Sequence, residues 1–138
     1  LPSFACQIAR IERGLAPPEV RVGNLAARRN WTDVRDMVQA YILALEHCPP
    51  GELFLIGSDD VRTVAECLDT LISLSPARDR IRIVTDPARV RLTEPLHLVA
   101  DWQPFRELTG WAPRYAFDQT LRDTLDYWRD RVAREPHP

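Results

Sequence analysis

The chain has 138 residues, 45% of them hydrophobic, which suffices for one buried core and one globular unit spanning 1–138. Eighteen basic side chains against twenty acidic ones leave it slightly acidic, so a polyanion-attracting field is absent and nucleic acid is excluded as a partner class. All eighteen basic side chains are arginine, which removes Schiff-base, phosphate-loop and Tyr-x-x-x-Lys mechanisms from these residues.

Ser3 is placed to cap a first helix whose apolar residues Phe4, Ile8, Ile11 and Leu15 recur at helical spacing, with Gly14 and then Pro17 and Pro18 ending it. Glu19 to Gly23 alternates as a strand, with Val20 and Val22 on one face. Asp33 is the expected N-cap of a second helix whose broad apolar stripe is Val34, Met37, Val38, Tyr41, Ile42 and Leu45, before Pro49-Pro50-Gly51.

Leu53-Phe54-Leu55-Ile56 is continuously apolar, as expected of a strand covered on both faces in a parallel sheet, here bounded at 52–57. Thr63 and Glu66 have capping-box spacing at the head of a helix carrying Val64, Cys67, Leu68, Leu71 and Ile72 inward. Ile81, Ile83 and Thr85 predict another strand, and Leu96, Leu98 and Val99 a short extended piece. Asp101 is the expected cap of a short helix from Trp102 to Thr109 stopped by Gly110, and a last helix starts near Phe117 with Leu121, Leu125, Trp128 and Val132 on one face. Alternating helix and strand signals predict a mixed α/β unit.

Cys6, Cys48 and Cys67 are odd in number and widely spaced, and are read as buried free thiols of an intracellular, cytoplasmic protein. The three histidines show no ligand spacing, so no metal is expected. The start has no signal-peptide pattern, no stretch reaches membrane-spanning length, and no initiator methionine is present, so the chain is expected to begin inside a longer protein or after processing. Asp33 and Asp36 are assigned to structure and not to acid-base work, and the four tryptophans to packing.

Two arginine-bearing stretches carry the chemistry. Val22-Gly23-Asn24-Leu25-Ala26-Ala27-Arg28-Arg29-Asn30-Trp31 follows one strand signal, and Asp86-Pro87-Ala88-Arg89-Val90-Arg91-Leu92-Thr93-Glu94 follows another. A guanidinium donates a planar fork to phosphate oxygens and keeps its proton, so two such loops suit a diphosphate. On charge pattern alone an arginine such as Arg29 is equally a surface partner of Asp33 or Asp36.

With these stretches, Leu108-Thr109-Gly110-Trp111-Ala112-Pro113 and the run Thr32-Asp33-Val34-Arg35-Asp36, the chain resembles the C-terminal substrate-binding part of extended short-chain dehydrogenase/reductases acting on GDP-sugars. The closing Leu125-Asp126-Tyr127-Trp128-Arg129 is closest to GDP-6-deoxy-mannose reductases, with GDP-mannose 4,6-dehydratases a near second. The resemblance runs over essentially the whole chain. It implies a preceding Rossmann domain, absent here, that binds NADP(H) and supplies the catalytic Tyr-x-x-x-Lys pair. It also implies that 52–57 is a strand of the larger Rossmann sheet and that the enzyme is a homo-oligomer.

By the same resemblance Arg29 and Arg91 grip the diphosphate, Glu94 accepts from ribose hydroxyls, and the backbone at Val22, Gly23 and Asn24 lies beside the nucleotide. No catalytic, cofactor-binding or metal residue is implied on this chain, which is expected to be inactive alone. Three departures stand out: Leu92 replaces the usual proline, Asn30 the usual aspartate, and Glu19 a lysine common in the dehydratases. The readings to be separated are a GDP-4-keto-6-deoxy-mannose reductase portion, a GDP-mannose 4,6-dehydratase portion, and a non-catalytic binding or assembly module or proteolytic remnant. An isolated chain is further expected to associate through the open edge of 52–57.

Overall fold

The computed structural model describes residues 1–90 and 95–135. Helix α1 (Pro2–Glu12) starts two residues earlier than expected: its N-cap is Leu1 and not Ser3, with no side-chain cap bond. Pro2 brings a φ already suited to the first turn and no N–H to satisfy, and the amides of Phe4 and Ala5 donate to the Leu1 carbonyl. Ser3 instead sits inside the helix, where its Oγ accepts from Arg89 at 3.4 Å.

Strands β1 (Glu19–Val22) and β4 (Arg82–Thr85) form a parallel pair with Val22 opposite Thr85. Three further strands form a second sheet in which β2 (Arg28–Asn30) runs antiparallel to β3 (Val61–Thr63) and parallel to β5 (His97–Leu98). β2 and β3 have no apolar alternation, so their sequences carry no strand signal. Their pairing comes from backbone groups that only the tertiary arrangement brings into line.

Helix α3 (Val64–Ser73) opens with the expected capping box: Glu66 N–H donates to Thr63 Oγ1 at 3.1 Å, and Glu66 Oε2 accepts from the Thr63 amide at 2.6 Å. Helix α4 (Gln103–Thr109) has Trp102 rather than Asp101 at its N-cap, although Asp101 does accept from the Gln103 amide at 3.2 Å. It stops at Gly110, whose φ of 70° is left-handed. Helix α5 (Phe117–Ala133) buries Phe117, Leu121, Leu125 and Val132, as its periodicity requires.

The main core lies between α1, β1, α3 and α5, with Ile8, Val20, Val22, Leu68, Leu71 and Leu125 at its centre. A second cluster joins Ala40 of helix α2 (Val34–His47) to Trp102, Phe105 and Trp111, whose rings meet edge to face. Trp31 stacks on Phe117 with centroids 5.5 Å apart, so packing accounts for these three tryptophans. Arg129 of α5 ties the main core's outer layer by donating to Glu12 at 2.8 Å and to the Leu74 carbonyl at 3.0 Å.

The stripe of α2 is mostly exposed, and one expectation, the strand at 52–57, is corrected. The stripe of α2 does not face inward: Val34 is 71% and Leu45 89% exposed, with Val38, Tyr41 and Ile42 also exposed, while Asp36 and Ala40 are buried. Nor does 52–57 form a strand in this chain. Phe54 and Ile56 pack on the second cluster, but Leu53 is 87% exposed and Leu55 is exposed too. Only one face has cover, and no neighbouring strand supplies the hydrogen bonds that define a sheet.

All three cysteines are free, but only Cys67 is fully buried. Burial pushes its thiol up to about 11, so it stays protonated and inert at neutral pH. Among the described residues no helix is long and apolar enough to cross a membrane, and no cluster of three potential metal ligands occurs.

Candidate functional site

Because β1 and β4 are parallel and in register at Val22 and Thr85, both end on the same edge of their sheet, so the two arginine-bearing stretches leave from one place. The Asp86 amide donates to the Val22 carbonyl at 2.8 Å, extending the pairing one step past the strands. Asp86 then accepts from the Ala88 amide at 3.0 Å and from Arg89 Nε at 3.3 Å, which folds Pro87–Arg89 into a single 3-10 turn.

That turn presses onto Gly23. A Cβ at this position would lie 2.3 Å from the Arg89 carbonyl oxygen, so only glycine lets the two backbones meet. Asn24 closes the exit from β1 by accepting the Ala26 amide at 3.0 Å, a local turn of the Asx kind.

Beyond Val90 the second stretch reaches Arg91, Leu92, Thr93 and Glu94, which lie outside the described residues. The chain is anchored again immediately afterwards. Arg28 N–H donates to the Leu96 carbonyl at 2.6 Å, and β5 places His97 opposite Arg28 and Leu98 opposite Arg29. Of the described residues on either side, Arg89 meets Gly23, and Leu96 to Leu98 pair with Arg28 and Arg29.

Arg29 sits mid-strand in β2, opposite Arg62 of β3 and Leu98 of β5, and its guanidinium donates to the Arg28 carbonyl at 2.7 Å. It lines a hollow of about 360 Å³ with Asn30, Leu55, Leu98, Val99 and Ala100. Val22 ends a strand of the other sheet and Gly23 and Asn24 follow it, so they and Arg29 approach from separate elements. The other two arginines here are held by protein groups: Arg28 donates to the Val61 carbonyl at 3.1 Å, and Arg89 to Asp86 and Ser3.

Two further residues organise this region, and neither carried a sequence signal for it. Asn30 hydrogen-bonds both backbone groups of Ala100, each at 3.3 Å. Asp36, 2% exposed, accepts the amides of Arg114 and Tyr115 at 3.1 Å each, and its carbonyl accepts Trp111 Nε1 at 3.2 Å. A larger cleft of about 520 Å³ near Trp31, Asp59, Asp60 and Tyr115 lies apart from Arg29. Its two acids are engaged, Asp59 by Trp102 Nε1 and Asp60 by Arg62.

Asp33 governs how β2 hands over to α2. It caps the helix through the Arg35 amide at 2.8 Å and also accepts from the Arg35 guanidinium and from Thr120 Oγ1. The Arg35 hydrogen bonds, with Thr120 and against the opposing effect of burial, hold its carboxyl far below the usual carboxylate range. A depressed folded value contributes stability above the unfolded value of about 4, and that stability is lost as pH falls through the folded one. Asp33→Asn is therefore expected to destabilise the chain at pH 7 by roughly 2 kcal/mol and to narrow the gap between variant and parent as pH drops toward about 2, measured by urea unfolding at several pH values.

The family model for GDP-mannose 4,6 dehydratase matches residues 3–124. GDP-6-deoxy-D-mannose reductase of Pseudomonas aeruginosa is 32% identical over 98% of this chain and 44% of its own length. GDP-mannose 4,6 dehydratase 1 of Arabidopsis thaliana is 27% identical over 93% of this chain and 35% of its own. In structure, RMD from Pseudomonas aeruginosa complexed with NADPH superposes with a TM-score of 0.81 at 30% identity, over 95% of this chain and 42% of that one. UDP-glucose 4-epimerase from Thermotoga maritima, solved with UDP-glucose, follows with a TM-score of 0.72 at 26% identity, over 91% and 38%.

The chain spans less than half the length of each of these relatives. Its mixed α/β architecture is accordingly a part of the extended short-chain dehydrogenase/reductase fold. From the matched residues 3–124 and the match to the reductase over 98% of this chain, the chain belongs to the GDP-mannose 4,6 dehydratase family.

Proposed function

We propose that this chain is the GDP-sugar-binding portion of an NADP(H)-dependent GDP-4-keto-6-deoxy-mannose reductase. The observation that carries the reading is the shared exit of both arginine-bearing stretches from one edge of the β1–β4 pair, together with the pairing of Leu96 to Leu98, just after the second stretch, with Arg28 and Arg29. Two guanidinium groups from separate loops neutralise a diphosphate and set its register, which is the role proposed for Arg29 and Arg91. Glu94 accepts from the ribose, and the backbone at Val22, Gly23 and Asn24 lies beside the nucleotide.

The residues present do not fit a dinucleotide: none of the five glycines belongs to a Gly-x-Gly-x-x-Gly turn, and there is no lysine to pair with a tyrosine. NADP(H) and the proton-transferring groups are assigned to a companion Rossmann domain. The apolar face of α2 and the uncovered side of 53–56 offer the surface such a domain would cover, since an apolar stripe of this size is seldom left to water. This chain would contribute substrate grip and orientation.

A dehydratase portion is the second reading, because the family model carries that description. Glu19, in place of the lysine common in dehydratases by resemblance, favours the reductase. With the companion domain restored, turnover of the 4-keto sugar supports the reductase, and dehydration of GDP-mannose supports the alternative.

Calorimetry with GDP tests the pocket itself. Arg29→Ala with Arg91→Ala is expected to weaken GDP binding at least about a hundredfold, from two charged hydrogen-bonding groups at roughly 1.5–3 kcal/mol each. Unchanged affinity in the double variant would remove both arginines from the site.

A further inference from the structure

The geometry points to Asn30 as a positioning residue that holds the walls of the Arg29 hollow at their working separation, through an amide that an aspartate cannot replace at neutral pH. The inference rests on the reading of Arg29 as a diphosphate ligand and extends it to the residue beside it.

The hollow has two apolar walls, Leu55 on the segment before Gly57, and Leu98 at the end of β5 with Val99 and Ala100 after it. Asn30 stands where these walls meet β2. Its Nδ2 donates to the Ala100 carbonyl at 3.3 Å, and its Oδ1 accepts the Ala100 amide at 3.3 Å. Both backbone groups of one residue are thus held by one side chain.

On the other wall, a Cβ at Gly57 would fall 2.1 Å from Asn30 Nδ2 and 3.4 Å from the Ala100 side chain. The amide is therefore wedged between the two walls with no room to turn. Since Arg29 is the adjacent residue of β2 and lines the same hollow, the clamp sets what Arg29 can reach.

An aspartate keeps the acceptor arm and loses the donor arm. Ionised, it would set a carboxylate oxygen against the Ala100 carbonyl, two acceptors with no proton between them; protonated, it could donate again. Restoring the acid that the family resemblance leads one to expect should thus impair this chain, in a manner that acid relieves.

The test measures GDP affinity of Asn30→Asp and Asn30→Ala relative to the parent chain at about pH 7.5 and about pH 4.5. The charged group lining the hollow is Arg29; the neighbouring segments carry Asp59, Asp60 and Arg62 on one side and His97 and Asp101 on the other. All of these, and the phosphates of GDP, are present in parent and variants alike, so affinity is read at each pH as a ratio to the parent. Asn30→Asp is expected to bind about tenfold more weakly than the parent at the higher pH and within about twofold at the lower. Asn30→Ala is expected to be weakened at both.

A pH-independent ratio for Asn30→Asp, or parental affinity in Asn30→Ala, would overturn the inference. If the parent chain itself fails to bind GDP, the functional reading fails, and the clamp is judged from exchange of the Ala100 amide proton. Faster exchange in Asn30→Asp at the higher pH, slowing again at the lower, supports the clamp; parental protection throughout refutes it.

Discussion

Gly23→Ala is expected to cost roughly 3 kcal/mol, on the order of 10 °C in thermal midpoint, and to weaken GDP binding more than about tenfold. The added methyl would be 2.3 Å from the Arg89 carbonyl oxygen and 2.9 Å from its carbonyl carbon, and backbone cannot rotate aside as a side chain can. Gly23 is not among the residues with positive φ, so the demand here is for space and not for a left-handed conformation. Relief requires β1 and the Pro87–Arg89 turn to part.

Those are the elements from which both arginine stretches depart, so the loss of stability and the loss of binding have one origin. The Asp86-to-Val22 hydrogen bond of 2.8 Å would be strained first. Thermal unfolding followed by circular dichroism and titration with GDP report the two effects. Parental values in both would mean that the close approach of the two stretches does not matter to either.

Asp36→Ala is the second large effect, with an expected loss of about 3–5 kcal/mol in urea unfolding. The carboxylate is 2% exposed and is the acceptor for two consecutive amides, those of Arg114 and Tyr115. Truncation leaves both donors short of a partner beneath α2, each at a desolvation cost of about 1–3 kcal/mol. Asn at this position keeps one acceptor oxygen, so Asp36→Asn is expected to lose about half as much. The near-ultraviolet signal of Trp111 should change as well, because its indole N–H donates to the Asp36 carbonyl. A variant as stable as the parent would show that solvent satisfies these amides without help.

Much of the local structure was legible because it depends on neighbours in sequence. The Asp33 cap, the Thr63–Glu66 box, the Gly110 stop and the buried face of α5 all follow from residues two to seven positions apart. β1 and β4 were legible as well, since apolar residues alternate in both. β2 and β3 were not: Arg28-Arg29-Asn30 and Val61-Arg62-Thr63 become strands only through backbone partners distant in sequence.

The apolar stripe of α2 and the run at 53–56 were recognised as apolar, yet periodicity names a face without saying what covers it. Among the described residues nothing covers most of either, and the short side of α2, with Asp36 and Ala40, is the one that packs. In the candidate site, the chemical character of Arg29 was visible in the sequence and the place of the Val22–Gly23 backbone by resemblance, whereas the need for glycine at 23 appears only with the Arg89 contact. The clamp at Asn30 was visible only as a departure from an expected aspartate, because its partner Ala100 is seventy positions away.

The sequence by itself determined the composition of the site: arginine as the only strong cation, two loops to carry it, no lysine for proton transfer, and the helices that brace the frame. Those properties reside in side-chain chemistry and short-range spacing. The tertiary structure alone decided that β1 and β4 run parallel and end together, that Gly23 touches Arg89, and that Asn30 grips Ala100. Such contacts join residues far apart along the chain, and their geometry arises from packing, which no local pattern encodes.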